Sequence, residues 1–267
     1  MDCVIVMPKG IYYLDLNEEK DMQLEKMLAI RNNKIVYVDG DTCYKVFNED
    51  YLKEDIFKEA YNQVRVESLG LSVPKVLSVT TVEGKWTLSS QFIPGRTLSR
   101  LMTLEPEKKA AYMELFVRVQ RQMHSRNCPQ LTRLQEKMDN RISRTDLPAT
   151  VRYSLHEDIL SMPRENHICH GDLVPSNVLI RKGDGVPFIL DWSHVTRGYP
   201  PADAARTYLL FTLNEDKEGA ELYLSLYCRE SGLDEKEIRR WLPAVAASQL
   251  VLGNEAEREI LHAFIGV

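Results

Sequence analysis

The sequence predicts an α+β protein with a β-rich N-terminal lobe, residues 1–93, and a mostly helical C-terminal lobe, residues 94–267. Three observations predict this class. Short runs rich in β-branched and aromatic residues, separated by polar turns, occupy much of the first third of the chain. Pro94-Gly95 then interrupts this pattern, and beyond it apolar residues recur at helical spacing. The change of periodicity at Pro94-Gly95 therefore predicts two lobes that differ in secondary structure.

The N-terminal lobe is predicted to consist of hairpins and one long helix. The polar pair Asn32-Asn33 and the segment Asp39-Gly40-Asp41 are turn signals between strand-like runs. Gly70 follows a segment in which apolar residues recur every three to four positions, and it marks the end of that helix. Around Pro8-Lys9-Gly10 the pattern is compatible with one further short strand pair. The predicted elements are strands at 27–31, 34–38 and 42–47, a helix at 50–69, and strands at 73–77 and 86–93.

The C-terminal lobe is predicted to be a set of helices. Pro106 is a favourable first residue for a helix, because the N–H that proline lacks would have no intrahelical partner there. Apolar residues between Tyr112 and Met123 form one stripe, which predicts a helix with one buried face. The predicted helices span about 106–124, 131–143, 147–161, 202–214, 217–231, 234–251 and 254–263.

Composition excludes several classes of protein. The chain has 267 residues, of which 44% are hydrophobic and 27% charged, and these values are ordinary for a globular protein. A net charge of −5 gives no reason to expect nucleic acid or an anionic membrane as a partner. No apolar run approaches the roughly 20 residues of a membrane helix, and the N-terminus does not resemble a signal peptide. Five scattered cysteines do not suggest a disulfide framework, so the cytoplasm is the expected location.

The most specific pattern in the chain is an H-G-D motif that ends at Asp172, followed by Asn177 and then by Asp191. Phosphoryl transfer requires a carboxylate that accepts a hydroxyl proton, and carboxylate and amide oxygens that bind Mg²⁺. These three residues supply those groups. The strand-like runs between Asn177 and Asp191 are joined by Lys182-Gly183-Asp184-Gly185, which predicts a hairpin that brings Asp191 back beside Asn177. The pattern therefore predicts a phosphotransferase.

In these residues the chain resembles the aminoglycoside phosphotransferase and choline kinase superfamily, whose members are relatives of the protein kinases. The family's catalytic loop reads H-G-D, and its metal-binding aspartate ends a strand as in Ile189-Leu190-Asp191-Trp192. The segment Gly198-Tyr199-Pro200-Pro201-Ala202-Asp203-Ala204-Ala205 is similar to the family's G-x-P-x-x-D-L-A. The resemblance covers about residues 27–251 and implies a bilobal protein-kinase-like fold. It also implies that Asp172 is the catalytic base and that Asn177 and Asp191 bind Mg²⁺.

The resemblance further implies a nucleotide site in the N-terminal lobe. Lys45 stands where the family has its phosphate-binding lysine, and Glu59 is the expected partner that orients it, with Glu67 and Glu54 as alternatives. A strand lysine taken alone more often faces solvent, so only the downstream motif favours this role. No Gly-x-Gly pattern accompanies Asn32-Asn33-Lys34, so the phosphate-covering loop of protein kinases is not recognisable here.

Residues 88–95 resemble the strand and hinge that contact the adenine ring. By this likeness Ser90 is the gatekeeper, and the backbone groups of Gln91 and Ile93 bind the purine. Backbone recognition leaves no trace in the sequence, so ATP is the expected nucleotide and GTP is the alternative.

The acceptor implied by the resemblance is a hydroxyl group of a small molecule such as an aminoglycoside, choline or another metabolite. Between 203 and 259 twelve acidic residues face seven basic ones, which favours a cationic acceptor, although such residues often only solvate helix faces. Between 106 and 152 the balance is reversed, with ten basic residues and five acidic.

Three other functions compete with a small-molecule kinase. A nucleotide-binding pseudokinase that acts as a scaffold would show a degenerate motif, and here every chemical position is filled. A protein kinase would carry a D-F-G…A-P-E segment, whereas Trp192 follows the metal-binding aspartate. His167, Cys169, His170 and Asp172 could ligate zinc, but four ligands within six residues do not easily converge on one ion.

Overall fold

The structure is a computed structural model and describes residues 3–7, 10–14, 26–31, 34–252 and 254–267. The chain forms two compact units, the first made of Met1–Gly95 and Arg181–Ser193, the second of Arg96–Ile180 and His194–Val267. A single boundary after residue 93 does not describe this division, because 181–193 returns to the first unit. There the N–H of Lys182 donates to the carbonyl of Pro94 at 2.8 Å, and the N–H of Ile189 donates to that of Ser72 at 3.0 Å.

The first unit is built on antiparallel strands and one helix. Its first elements are β1 (Cys3–Met7), β2 (Gly10–Leu14), β3 (Lys26–Arg31), β4 (Lys34–Asp39), β5 (Thr42–Phe47), α1 (Lys53–Glu67), β6 (Val76–Val82) and β7 (Lys85–Gln91). Five of the strands form one sheet in the order β3-β4-β5-β7-β6, and β1 pairs with β2 separately. The predicted turn Asn32-Asn33 lies outside the described residues.

The register of β4 and β5 decides which side chains share a face of the sheet. Asp39 pairs with Thr42, so Gly40 and Asp41 form a two-residue turn, and Gly40 has a φ of 52° that favours glycine. In this register Val36 lies opposite Lys45. Since residues two apart on a strand share a face, Lys34 lies on the same face as Val36 and Lys45.

Helix α1 packs on the sheet through its apolar positions. Ile56 and Ala60, one turn apart on the helix, are buried with Phe47 of β5 and Leu88 of β7 in one apolar cluster. This helix is predicted at 50–69, and the structure shortens it at both ends. The packing orients the face of α1 that carries Glu59 towards the sheet, because residues three and four apart on a helix are neighbours.

The second unit is mostly helical, as predicted, and of the strands from Gly95 onward only Pro187–Ile189 and the single residues Gly95 and Arg181 belong to the first unit. The elements from Gly95 onward are β8 (Gly95–Thr97), α2 (Leu98–Leu104), α3 (Lys109–His124), α4 (Leu134–Ile142), α5 (Ala149–Ser161), β9 (His167–Cys169), β10 (Val178–Arg181), β11 (Pro187–Ile189), β12 (Thr196–Gly198), α6 (Pro200–Leu213), α7 (Lys217–Ser231), α8 (Glu235–Arg239), α9 (Leu242–Leu250) and α10 (Arg258–Ile265). The core of this unit includes edge-to-face contacts of Phe116 in α3 with Phe211 and Tyr223, whose ring centroids lie 6.1 and 5.9 Å away. No helix among the described residues is long and apolar enough to cross a membrane.

Two predicted helices differ from the observed ones for identifiable reasons. The helix predicted at 234–251 is two helices, because Pro243 lacks an N–H and is tolerated only in the first turn of α9. The helix predicted at 254–263 begins with a short 3₁₀ turn, Glu255–Glu257, before α10. The turn of the predicted hairpin after Asn177 is present, since the N–H of Arg181 donates to the carbonyl of Val186 at 3.0 Å.

Candidate active site

Lys45 and Glu59 form a close ion pair in the first unit. The Nζ of Lys45 lies 2.6 Å from Oε1 of Glu59, whose side chain is only 1% exposed. Glu67, the alternative partner, instead accepts a hydrogen bond from the N–H of Val76 at 2.7 Å, and Glu54 is exposed. The expected pairing of Lys45 with Glu59 is therefore the one that the structure contains.

Asp191 belongs to the same unit and completes this cluster. Its Oδ1 lies 3.5 Å from the Nζ of Lys45 and accepts a hydrogen bond from Ser193 at 3.1 Å, and its side chain is 10% exposed. The backbone of Asp191 has a φ of 60°, in the left-handed region that residues other than glycine seldom adopt. Such strain costs of order 1–3 kcal/mol and concentrates at functional sites, where the surrounding structure holds it.

Lys34 is a member of the cluster that the sequence does not single out. Its Nζ lies 3.3 Å from Oδ2 of Asp191 and 4.0 Å from Oε2 of Glu59, and the residue is buried. The signal that could have identified Lys34 is the register of the hairpin at Gly40, which places Lys34 and Lys45 on one face of the sheet. The first unit thus brings two ammonium groups and two carboxylates together.

The carboxylates of this cluster stabilise the charged form of Lys45. Burial alone would lower the pKa of Lys45, but the carboxylates of Asp191 and Glu59 outweigh it and hold the pKa well above its ordinary value. Burial, followed by the nearby Glu59 carboxylate, raises the pKa of the Tyr51 hydroxyl to about 12. Lys45 is therefore a fixed positive charge and Tyr51 a neutral hydroxyl across the physiological range of pH.

The residues expected at the nucleotide base lie in and just after β7. Ser90 and Ile93 are buried, and Gln91 is half-buried. The N–H of Gln91 already donates to the carbonyl of Lys75 at 2.8 Å. A contact of Gln91 with a purine would consequently be made through its carbonyl oxygen.

Asp172 and Asn177 lie together in the second unit. Asn177, 2% exposed, ends a 3₁₀ turn, and its Nδ2 donates to the carbonyl of Asp172 at 2.8 Å and towards Oδ2 of that residue at 3.4 Å. Because the amide nitrogen is used in this way, the amide oxygen of Asn177 is the atom suited to a cation. An amide oxygen is a donor that Mg²⁺ accepts, and so is the carboxylate of Asp191 in the first unit, so the chemistry of each residue separately suits this ion.

The loop that carries Asp172 is tied to α6 by its glycine. The N–H of Gly171 donates to Oδ1 of Asp203 at 2.7 Å, and the carbonyl of Gly171 accepts from Nε of Arg206 at 3.2 Å. Gly171 has a φ of 78°, and a Cβ there would lie 2.7 Å from the carbonyl oxygen of His194. Only glycine fits this position. His170 is fully buried and its Nδ1 accepts from the N–H of Asp172 at 3.3 Å, so this histidine helps to order the loop.

Asp203 is also bound by a buried histidine. Its Oδ2 lies 2.9 Å from Nε2 of His124, and Nδ1 of His124 lies 2.9 Å from the hydroxyl of Tyr227. Burial is the main cause that lowers the pKa of His124. Burial by itself would raise the pKa of Asp203, but hydrogen bonds from His124 and Gly171 outweigh this effect and lower that pKa. A neutral His124 that donates from Nε2 to an ionised Asp203 and accepts from Tyr227 satisfies all of these groups.

The stability of the protein is expected to fall as the pH decreases from about 7 to 5. The folded-state pKa of His124 lies below its ordinary value of 6.5, so in this range the unfolded chain binds a proton that the folded chain does not. Melting temperatures measured across this range should show the decrease. His124→Gln should be less stable at pH 7 but should lose a smaller increment on acidification, and an equal pH dependence in both proteins would contradict a neutral His124.

Comparison with known proteins agrees with this geometry. The family model described as "Phosphotransferase enzyme family" matches residues 31–242, and no curated protein sequence matches the chain. Among solved structures, the aminoglycoside phosphotransferase APH(4)-Ia is similar with a TM-score of 0.64 and 17% identity, over 89% of this chain and 88% of that one. Choline kinase LicA from Streptococcus pneumoniae is similar with a TM-score of 0.59 and 17% identity, over 89% and 86% of the two chains.

A third similar structure is a choline/ethanolamine kinase family protein from Mesorhizobium loti, with a TM-score of 0.56 and 18% identity, over 88% of this chain and 82% of that one. At these identities the likenesses establish the fold, and they confirm the predicted protein-kinase-like class. The family model spans most of the chain, including Lys45, Asp172, Asn177 and Asp191. The chain therefore belongs to the phosphotransferase enzyme family.

Proposed function

We propose that the protein is an ATP- and Mg²⁺-dependent kinase that phosphorylates a hydroxyl group of a small molecule. Membership of the family makes the chain a phosphotransferase. The observation that supports the finer proposal best is the cluster in which Lys45 contacts both Glu59 and the strained Asp191. A lysine held between two carboxylates matches the lysine, helix glutamate and metal-binding aspartate that kinase chemistry requires.

The proposal assigns residues from both units to one reaction. Lys45, held by Glu59, binds the phosphates of the nucleotide, and Ser90, Gln91 and Ile93 surround its base. Asn177 and Asp191 hold Mg²⁺, which when bound neutralises charge on the phosphates. Lys34, whose ammonium group lies beside Asp191, adds a second positive charge at the same point.

Asp172 accepts the proton of the acceptor hydroxyl. The loop around it is held by backbone hydrogen bonds and by the Asn177 amide, so its carboxylate is positioned before the acceptor arrives. Because the transition state of phosphoryl transfer is loose, most of the acceleration comes from positioning and from neutralising charge.

The similar structures support the nucleotide and the type of acceptor. A form of APH(4)-Ia was solved as a ternary complex with AMP-PNP and hygromycin B, and LicA is named a choline kinase. ATP and a small hydroxyl-bearing acceptor are the substrates that such relatives suggest for this chain. The function is tested by ADP release over a panel of hydroxyl-bearing metabolites and antibiotics, with and without Mg²⁺. Binding of Mg-ATP without ADP release on any acceptor would favour a nucleotide-binding scaffold instead.

Asp191→Ala is expected to abolish the Mg²⁺-dependent part of the stabilisation that ATP gives. A ligand bound only to the folded state stabilises it by RT ln(1 + [L]/Kd), about 2.7 kcal/mol at a hundred times Kd. A lost metal contact should therefore reduce the rise in melting temperature that Mg²⁺ adds at fixed ATP. Asp184→Ala is the matched control, because Asp184 is exposed and contacts Arg181 in the same segment. Equal Mg²⁺-dependent shifts in the two variants would show that Asp191 is not a ligand.

A further inference from the structure

The second unit contains a hollow that is open to solvent beside the catalytic loop. Residues of α4, α6 and α9 line it together with Gly171, the neighbour of Asp172. We call it the α4–α6–α9 hollow.

The charged side chains of the α4–α6–α9 hollow are mostly cationic. Lys137, Arg141 and Arg206 line it, and the one lining carboxylate is that of Asp203. That carboxylate already accepts hydrogen bonds from the N–H of Gly171 and from His124, so it offers little compensation inside the hollow. Among the lining side chains three cations therefore face one carboxylate, and the carboxylates of Asp172 and Glu257 also act on Arg206 from outside the lining.

Arg141 is the most informative of the three cations. Among the described residues its guanidinium has no carboxylate partner and no hydrogen bond. Burial, followed by the charges of Arg206 and Arg144, lowers its pKa. A half-buried guanidinium surrounded by like charge is destabilising unless something else compensates it. An anionic ligand supplies that compensation.

A second lining residue offers an unused acceptor. Gln249 is buried, its Nε2 donates to Oε2 of Glu257 at 2.8 Å, and its Oε1 has no hydrogen-bond partner among the described residues. An unpaired buried amide oxygen is costly and is suited to accept a hydroxyl proton or N–H of a ligand. The hollow thus combines cations for an oxyanion with an acceptor for a hydroxyl or amine.

The acidic residues near the C-terminus do not reverse this charge. Neither Glu255 nor Glu257 nor Glu259 is among the described residues that line the hollow. The side chain of Glu255 is 91% exposed beside Arg258, and Glu257 is held by Gln249 and Asn254. The acidic excess of this segment, which favours a cationic acceptor when counted along the sequence, therefore reaches the border of the hollow through Glu257, which contacts Gln249 and acts on Arg206.

We propose that the α4–α6–α9 hollow binds the acceptor, and that this acceptor carries an oxyanion, a carboxylate or a phosphate, besides the hydroxyl that is phosphorylated. Arg141 and Arg206 bind the oxyanion, since a guanidinium presents two parallel donors to such a group. Arg206 also donates to the carbonyl of Gly171, so the charge of the ligand is bound next to the catalytic loop. This inference rests on the proposed function, because it names the class of acceptor for the same reaction.

The binding test uses inorganic phosphate as the probe, with AMP-PNP and Mg²⁺ present throughout and ionic strength held constant with chloride. Melting temperature is measured against phosphate concentration for wild type, Arg141→Gln and Arg144→Gln, the last being an exposed arginine that does not line the hollow. Phosphate should bind Arg141→Gln at least roughly tenfold more weakly than wild type, which corresponds to about 1.4 kcal/mol. Arg144→Gln should bind it as wild type does, and equal binding by both variants would overturn the proposal.

Folding of the variant is controlled within the same experiment. Without phosphate, Arg141→Gln should melt no lower than wild type, because the change removes repulsion with Arg206 and Arg144. Arg141→Lys keeps the charge but loses the paired donors, so it should retain part of the affinity for phosphate. Full retention of affinity in both Arg141 variants would show that the guanidinium does not bind the anion.

The turnover test compares acceptors that differ only in charge. ADP release is measured for hydroxy acids against their amides and for sugar phosphates against the free sugars, and the two pairs distinguish carboxylate from phosphate. The charged member should have a kcat/KM roughly 10–100 times higher, and Arg141→Gln should remove this preference mainly through KM.

Turnover only of amines such as aminoglycosides or choline, unaffected by Arg141→Gln, would overturn the inference and leave the kinase assignment unchanged. A phosphate affinity that depends on Arg141 without ADP release on any acceptor would instead overturn the proposed function and leave the anion site standing.

Discussion

Asp172→Asn is expected to reduce ADP release by roughly 10²–10⁴, the usual contribution of a general base, and to leave folding and Mg-ATP binding nearly unchanged. The hydrogen bonds that hold the loop at this residue use its backbone. Its N–H donates to His170 and its carbonyl accepts from Asn177. Replacing the carboxylate by an amide keeps these backbone contacts and an oxygen that can face Nδ2 of Asn177, which lies 3.4 Å from Oδ2 of Asp172, and it removes the group that accepts the hydroxyl proton.

The experiment measures kcat with the acceptor that the panel identifies, together with the melting shift that Mg-ATP produces. Asp158→Asn, the same change at an exposed residue of α5, is the control and should behave as wild type. A loss of kcat with an unchanged ATP shift is the signature of a base. If Asp172→Asn kept half or more of the wild-type ADP release, Asp172 would not be that base.

The sequence offers Asp172, Asn177 and Asp191 as candidates because they lie close together in the chain. Asp172 and Asn177 are separated by a fixed short spacing, and the loop between them brings the amide of Asn177 onto the carbonyl of Asp172. Asp191 was predictable from its place at the end of a short strand after a glycine-rich turn. Local spacing carries this information without knowledge of the tertiary structure.

The nucleotide-side cluster depends on tertiary structure to a greater extent. Lys45 and Glu59 lie on different elements, and only the resemblance to a family suggested their pairing over Glu67. Lys34 was missed because a lysine at the start of a strand normally faces solvent, whereas the register of β4 and β5 places it beside Asp191. Lys34 can be recognised as a member of the charged cluster only when the strand pairing is known.

The charge of the hollow could not be obtained by counting residues along the chain. Lys137 and Arg141 lie four residues apart on α4 and share one face with Leu134 and Met138, since all four line the hollow. Sequence periodicity shows this stripe but not what it faces. The packing of α4 against α9 places the basic face of α4 in the lining of the hollow.

Asp203→Ala is expected to lower the free energy of unfolding by roughly 3–5 kcal/mol, the usual cost of removing one partner from a buried charged network. The side chain is 1% exposed and accepts from the N–H of Gly171 and from His124, with Gln120 at 3.5 Å. Its removal leaves buried donors without an acceptor and leaves a cavity. The loop that carries Asp172 loses the hydrogen bond from Gly171 to Asp203 at the same time and keeps the one from Arg206 to the carbonyl of Gly171.

Urea denaturation followed by circular dichroism measures this loss, with Asp216→Ala as the matched control. Asp216 caps α7 by accepting from the N–H of Gly219 at 2.9 Å and is partly exposed, so its removal should cost only about 1 kcal/mol. Asp203→Asn should fall between the two, because an amide oxygen can still accept from Gly171 while its NH₂ group faces the Nε2 of His124. The amide variant should also retain more ADP release than the alanine variant, since its amide oxygen can still accept from the N–H of Gly171 and hold the loop on α6. A cost for Asp203→Ala no greater than that for Asp216→Ala would mean that the buried network does not hold the catalytic loop in place.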